Sequence, residues 1–250
     1  MTIFYFTSTG NGLQVCKAIG GQHISIVQAL KEDAIVCEDD AIGVVFPCWL
    51  HDVPAPVRAF LQRAQLKADY IFAVMSYGLL DGAAMRTTAK LFSACGIRLD
   101  YLNRINMADN FLPAFDMQSQ MKSLPKKRVG ERLSAIADDI QNRKVFIKRF
   151  SPLRGLWAWP VKAVAGAFET LVRGKLTAKD TCTMCGTCAK ACPVDNITID
   201  DHVVFGTSCI GCLCCAHICP ANAIRQKGER SRARYRNPHV KPKEIIDANK

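Results

Sequence analysis

The chain has 250 residues, 49% of them apolar, which suffices for two domains with buried cores and argues against disorder throughout. Its net charge is +11, with the excess lying outside residues 181–225; no nucleic-acid motif accompanies the basic C-terminal stretch, so no nucleic-acid partner is expected. No apolar run reaches membrane-spanning length, and the opening MTIFYFTSTG lacks a basic segment followed by an apolar one, so neither a transmembrane segment nor a secretory leader is expected and a cytoplasmic setting is.

In chain order, Thr2–Phe6 is a short apolar β run that ends in a Ser/Thr/Gly loop. Gly12–Ile19 reads as a helix. The stretch from Ile24 to Asp40 holds one weak strand and a poor helix, an abridged crossover. Ala41–Phe46 is a buried strand, and Pro54–Ala64 is a helix with prolines near its start. Tyr70–Ser76 is a second buried strand. Ala83–Cys95 is a helix stopped by Gly96, Arg98–Met107 a final strand, and Lys126–Phe146 a long amphipathic helix. Continuous apolar strands alternating with helices predict an α/β fold, a doubly wound parallel sheet covered on both faces. This organisation gives a first domain over 1–149, an apolar bridge over 150–177, a cysteine-rich domain over 178–228 and a basic tail over 229–250. The bridge segment 151–174 reads best as a helix packing the second domain onto the first. Its rival reading is contact with a membrane surface through Trp157 and Trp159. The tail reads as solvated or as crossing back over the protein.

Thirteen cysteines are many for a chain without a leader, and they point to metal or redox chemistry rather than disulfides. Cys16, Cys37, Cys48 and Cys95 are scattered and read as small hydrophobes. Nine crowd between Cys182 and Cys219. From Cys182 the chain reads CTMCGTCAKACP, and from Cys209 it reads CIGCLCCAHICP. Each run is C-x2-C-x2-C-x3-C-P, and the second repeats the first 27 residues on, which marks a duplication. Three closely spaced thiolates reach three irons of one cube. The fourth cysteine, followed by proline, serves the other cube. Two [4Fe–4S] clusters are therefore expected, one held by Cys182, Cys185, Cys188 and Cys219, the other by Cys209, Cys212, Cys215 and Cys192. Zinc would ask for two cysteine pairs per ion instead. Cys214 reads as a small buried side chain and His217 as a surface-loop residue rather than a ligand.

The loop Thr7-Ser8-Thr9-Gly10-Asn11-Gly12 joins a strand to a helix N-terminus, where hydroxyls and orphan amides favour a phosphate. No Lys-Ser/Thr follows, so it is not a nucleoside-triphosphate loop. Two further loops fall at strand carboxyl ends, where open α/β sheets bind ligands. One carries Pro47, Cys48 and Trp49. The other carries Ser76, Tyr77 and Gly78. Trp49 and Tyr77 are candidates to sandwich a planar ring. Cys48 reads as structural rather than reactive.

The TSTGNG loop resembles the FMN-phosphate loop of flavodoxins, and the two aromatic loops match that family's flavin-flanking loops in order. With the cysteine runs, and with MADNF at Met107–Phe111 and RYRNP at Arg234–Pro238, the chain resembles the flavodoxin–ferredoxin fusion proteins of anaerobic bacteria and archaea. The resemblance implies a flavodoxin-like domain holding FMN, followed by a small α+β ferredoxin domain with two clusters. Flavodoxins usually have Thr where Gly12 stands. The function expected is single-electron transfer between a low-potential donor and an acceptor, with redox proteins as partners. The alternatives are a flavin-dependent reductase of a small molecule and a redox sensor with an empty flavodoxin fold. No acid–base or nucleophile constellation stands out, and catalytic residues are not assigned.

Overall fold

The computed structural model describes residues 1–148 and 175–250, so the bridge expected at 151–174 and its packing or membrane-surface roles lie outside the described residues. The first part holds β1 (Thr2–Tyr5), α1 (Asn11–Ile19), β2 (Gln22–Ser25), α2 (Ile26–Ala29), β3 (Ile35–Glu38) and β4 (Ala41–Pro47). It continues with α3 (Ala55–Arg63), β5 (Ala64–Lys67), β6 (Tyr70–Tyr77), α4 (Ala84–Ala94), β7 (Tyr101–Asn106), α5 (Met117–Ser123), α6 (Val129–Gln141) and β8 (Phe146–Ile147). The main sheet has six parallel strands in the order β2-β1-β4-β6-β7-β8. β3 and β5 pair apart from it in a two-stranded parallel ladder. Without those two, the sheet runs 2-1-3-4-5 with a short sixth strand at its edge. That is the flavodoxin-like doubly wound order, whose chain reverses direction across the sheet beside β1.

The period of two along each strand sorts side chains onto two cores. Ile3 and Tyr5 face α1 and α6, while Phe4 and Phe6 face α2, α3 and α4. β4 and β6 are covered on both faces, which is why they read as unbroken apolar runs.

Two expectations are corrected. The helix expected over Lys126–Phe146 is shorter at both ends. A 3-10 turn at Leu124–Lys127 leads to Arg128 in the left-handed region (φ 49°), and Arg143 (φ 48°) ends the element after Gln141. Phe146 and Ile147 then pair with Tyr101 and Leu102 as the edge strand. The strand expected over Arg98–Met107 is trimmed to β7; just before it, Asp100 donates its backbone amide to the Ile71 carbonyl at 2.8 Å and accepts from the Ile71 amide with its carboxylate at 2.9 Å. The abridged crossover after β2 is present as the single turn of α2.

The second part holds β9 (Leu176–Ala178), α7 (Thr187–Lys190), β10 (Ile197–Ile199), β11 (Val203–Phe205), α8 (Cys214–Ile218) and β12 (Ile224–Gln226). Two antiparallel ladders join β10 to β11 and β12 to β9. The 27-residue repeat governs this geometry: the pair Ile197–Phe205 recurs as Ile224–Ala178. The left-handed residues Met184, Gly186 and Asp195 recur as Gly211, Leu213 and Asn222. This is a small α+β unit of short strands and single-turn helices.

The tail crosses back over the first part. Val240, Ile245 and Ala248, the last two on or just after α9 (Pro242–Asp247), are buried in the same core as α1 and α6. Lys17 pairs with Glu244 at 2.7 Å, and Gln28 donates to the Asp247 carbonyl at 2.9 Å.

Candidate cofactor sites

A cavity opens at the carboxyl edge of the sheet, where open α/β sheets bind ligands. Its walls include Thr7, Ser8, Thr9, Asn11 and Gly12 after β1. Pro47, Cys48 and Trp49 close it at the end of β4, and Ser76, Tyr77 and Gly78 at the end of β6. Of the twelve expected N-terminal site residues only Gly10 is not on this wall. Gly10 instead sits behind the loop with φ +93°, where a Cβ would come within 3.0 Å of the Asn237 Cβ.

The loop's hydrogen bonds leave its hydroxyls able to donate, chemistry that suits an anion. Thr7 Oγ1 accepts from the Gly10 amide at 3.1 Å. Ser8 Oγ and Thr9 Oγ1 accept from the Asn110 side-chain amide at 2.8 and 3.3 Å. A hydroxyl that accepts from an N–H keeps its own proton to donate. Three O–H donors thus stand beside the positive end of α1. Asn11 is used differently from its neighbours. Its side chain donates to the Ala108 carbonyl at 3.0 Å and accepts from Tyr235 Oη at 2.8 Å and Asn237 Nδ2 at 3.0 Å. What Asn11 offers a ligand is its backbone amide. At Gly12 the first turn of α1 presses on the residue after β1: a Cβ there would meet the Phe6 carbonyl oxygen at 2.8 Å.

Trp49 is held edge-on against Phe6, with ring centroids 5.2 Å apart. The Arg104 guanidinium lies 5.5 Å from the Tyr77 ring and also pairs with the buried Asp81. Burial pushes the Cys48 thiol up to about 12, as suits a structural cysteine. Ala108, Asp109 and Asn110, in the loop after β7, complete the cavity and were not among the expected site residues. The signal was available, because this loop also lies at a strand carboxyl end and carries the MADNF pattern. Asp109 packs on Gly78, leaving no room there for a Cβ. Burial raises the Asp109 carboxyl above the ordinary Asp range, and the neighbouring Lys127 opposes that shift.

Two smaller cavities lie in the second part. One, of about 300 Å³, is walled by Cys182, Cys185, Cys188 and Cys219. The other, of about 330 Å³, is walled by Cys209, Cys212, Cys215 and Cys192. Each thus gathers three thiols from one run and the fourth from the other. The backbone repeats the pattern: Met184 N–H points to Cys182 Sγ at 3.5 Å and Gly211 N–H to Cys209 Sγ at 3.4 Å. Asn196 N–H and Ala223 N–H reach Cys192 Sγ and Cys219 Sγ, both at 3.3 Å. Such amides stabilise charge on sulfur. All thirteen cysteines are free. The cavities differ in surroundings. Cys185 is exposed beside Met184, whereas Ile210 packs against the same apolar cluster as Cys48 and Trp49. Burial pushes the Cys188 thiol up to about 11, so its thiolate needs a cation beside it.

Residues 178–198 match the family described as a 4Fe–4S binding domain. This 4Fe–4S domain includes the whole first run, and the second run is its repeat within the chain. No curated protein matches the chain. Two solved structures are distantly similar. One is a candidate flavoprotein from Bacteroides uniformis, 15% identical with a TM-score of 0.35, the match covering 43% of this chain and 91% of that one. The other is the Trp repressor binding protein from Bacillus subtilis, 8% identical with a TM-score of 0.31, covering 42% and 83%. Likenesses of this size speak to neither cofactor nor activity. Among the described residues no helix is long and apolar enough to cross a membrane.

The seam between the 4Fe–4S domain and the sheet corrects the expectation for His217. It is not a surface residue but 1% exposed. Its Nδ1 accepts from the Tyr235 amide at 3.1 Å, which leaves the proton on Nε2 to be donated to the Asn110 carbonyl at 2.7 Å. Burial pushes the imidazole down to about 4, so it is neutral. Cys214 is fully buried in the same seam, with the Asn249 amide 3.7 Å from its sulfur.

Proposed function

We propose that the protein is an electron carrier with FMN on its N-terminal sheet and two [4Fe–4S] clusters in its C-terminal domain. The observation that carries the reading is the grouping of eight thiols into two cavities, each drawing its fourth sulfur from the other run. In the first cavity Cys182, Cys185, Cys188 and Cys219 are the ligands; in the second they are Cys209, Cys212, Cys215 and Cys192. FMN is supported by the donor set of Thr7, Ser8 and Thr9, which suits a phosphate, and by Trp49 and Tyr77 on the same wall, which suit a planar ring. Bound FMN supplies two-electron chemistry at one centre, and each cluster supplies one-electron chemistry. The chain's own residues bind and shield. Cys188, Cys192 and Cys215 are buried, and Leu213 and Ile197 line the second cavity and limit water. Donor and acceptor are redox proteins that dock at the surface.

Anaerobic purification with iron, sulfide and flavin analysis tests this. About eight irons, about eight sulfides and one FMN per chain are expected. A colourless protein, or one carrying only zinc, overturns it.

A further inference from the structure

Asn110 stands where the two parts of the chain meet. Its side chain donates to both Ser8 Oγ and Thr9 Oγ1. Its backbone carbonyl is held by His217 Nε2 at 2.7 Å, from the second cysteine run. The imidazole is in turn fixed by the Tyr235 amide at 3.1 Å, from the tail. The same tail segment reaches the loop directly, since Asn237 N–H donates to the Thr9 carbonyl at 2.8 Å. Direction matters in this chain of bonds. An amide N–H pointed at each hydroxyl leaves the hydroxyl proton for a ligand, whereas an acceptor in the same place would consume it.

We propose that Asn110 and His217 are positioning residues for the anionic group bound by the Thr7–Gly12 loop. His217 holds the Asn110 backbone, and Asn110 keeps Ser8 and Thr9 as donors toward the cavity. Anion affinity in the first part of the chain then depends on an imidazole lodged among the ligands of the second. The inference rests on the reading of this loop as a phosphate site. Its signature is selective: loss of either residue weakens binding of the phosphate and leaves binding of the ring unchanged.

The test uses full-length, cluster-loaded protein stripped of flavin. It is titrated with FMN, with riboflavin, which lacks the phosphate, and with inorganic phosphate as competitor. If wild-type protein shows no preference for FMN over riboflavin, the phosphate-site reading itself fails, before any variant is made. With that preference in hand, Asn110→Asp keeps the shape but sets a charged acceptor against the two hydroxyls. It is expected to lose at least about tenfold in FMN affinity, the weight of one charge-assisted hydrogen bond, with riboflavin affinity within about twofold. His217→Phe fills the space without a donor and is expected to lose FMN preference at unchanged iron content. His217→Gln, which can still donate, is expected to restore it. An FMN preference at the wild-type level in both Asn110→Asp and His217→Phe overturns the proposal. So does an equal loss of FMN and riboflavin, which marks a purely structural role.

Discussion

Removing single thiols tests the crossed grouping of cysteines. Cys182 and Cys219 belong to different runs but wall one cavity, and Cys192 and Cys209 wall the other. Each [4Fe–4S] cluster takes four thiolates, so Cys182→Ala and Cys219→Ala should each lower iron from about eight to about four per chain. The decisive comparison is between double variants. Cys182→Ala with Cys219→Ala should still hold about four irons, because both changes strike one group. Cys182→Ala with Cys192→Ala should hold almost none, although both lie in the same run. Iron and sulfide analysis on anaerobically prepared protein reads the outcome, and the low-temperature EPR of the reduced protein shows which signal survives. If the same-run double variant keeps about four irons, each run serves its own cluster and the crossed grouping is wrong. Loss of structure should follow loss of iron. The ladders of this domain are only three residues long and its helices are four and five residues, too short to persist without the metal.

Gly12→Ala places a methyl 2.8 Å from the Phe6 carbonyl and should cost about 1–3 kcal/mol in denaturant unfolding with iron content unchanged; a neutral result would mean α1 does not press on β1. Ile245→Ala empties a fully buried site in the docked tail and should cost about 2–5 kcal/mol. Its loss should show as faster amide exchange across Val240–Ala248 with β6 unaffected, and uniform acceleration would refute a locally docked tail. Burial holds the Asp109 carboxyl above the ordinary range, so the folded chain binds that proton at higher pH than the unfolded chain does. Stability from this group is therefore greatest at and below the ordinary Asp range and falls as pH rises through the raised value. Lys127 and His51 face the same carboxylate and remain in the variant. Asp109→Asn should gain on the wild type as pH climbs from acid to neutral, and a constant difference across that range would refute the account.

The main sheet was legible because β4 and β6 are covered on both faces and so read as apolar runs flanked by helices. The cysteine runs were legible because the duplication is written in their spacing. Edge strand β8 was hidden: Phe146 and Ile147 remain partly exposed and continue the periodic pattern of α6, so only pairing with β7 sets them apart. His217 was misread because nothing near it in sequence buries it. Its partners are Asn110, 107 residues away, and the amide of Tyr235. The tail was ambiguous for the same reason, its lysines and arginines outnumbering the few apolar side chains that dock it. The loops after β1, β4 and β6 declared themselves through hydroxyl, aromatic and glycine residues. The loop after β7 was equally legible from its strand-end position and its MADNF pattern, but its amide and carboxylate were not counted as site residues; the fold brings them beside Ser8 and Gly78.

The duplicated runs share a ligand plan but not a neighbourhood. Exposed Cys185 and Met184 leave one cavity close to solvent, while Ile210 seats the other against the apolar cluster that also contacts Trp49. On the two-cluster reading proposed above, the group that includes exposed Cys185 should lose iron to air before the other, and loss should come in two stages. The half-depleted form would keep the group packed beside the sheet and lose the one nearer the surface.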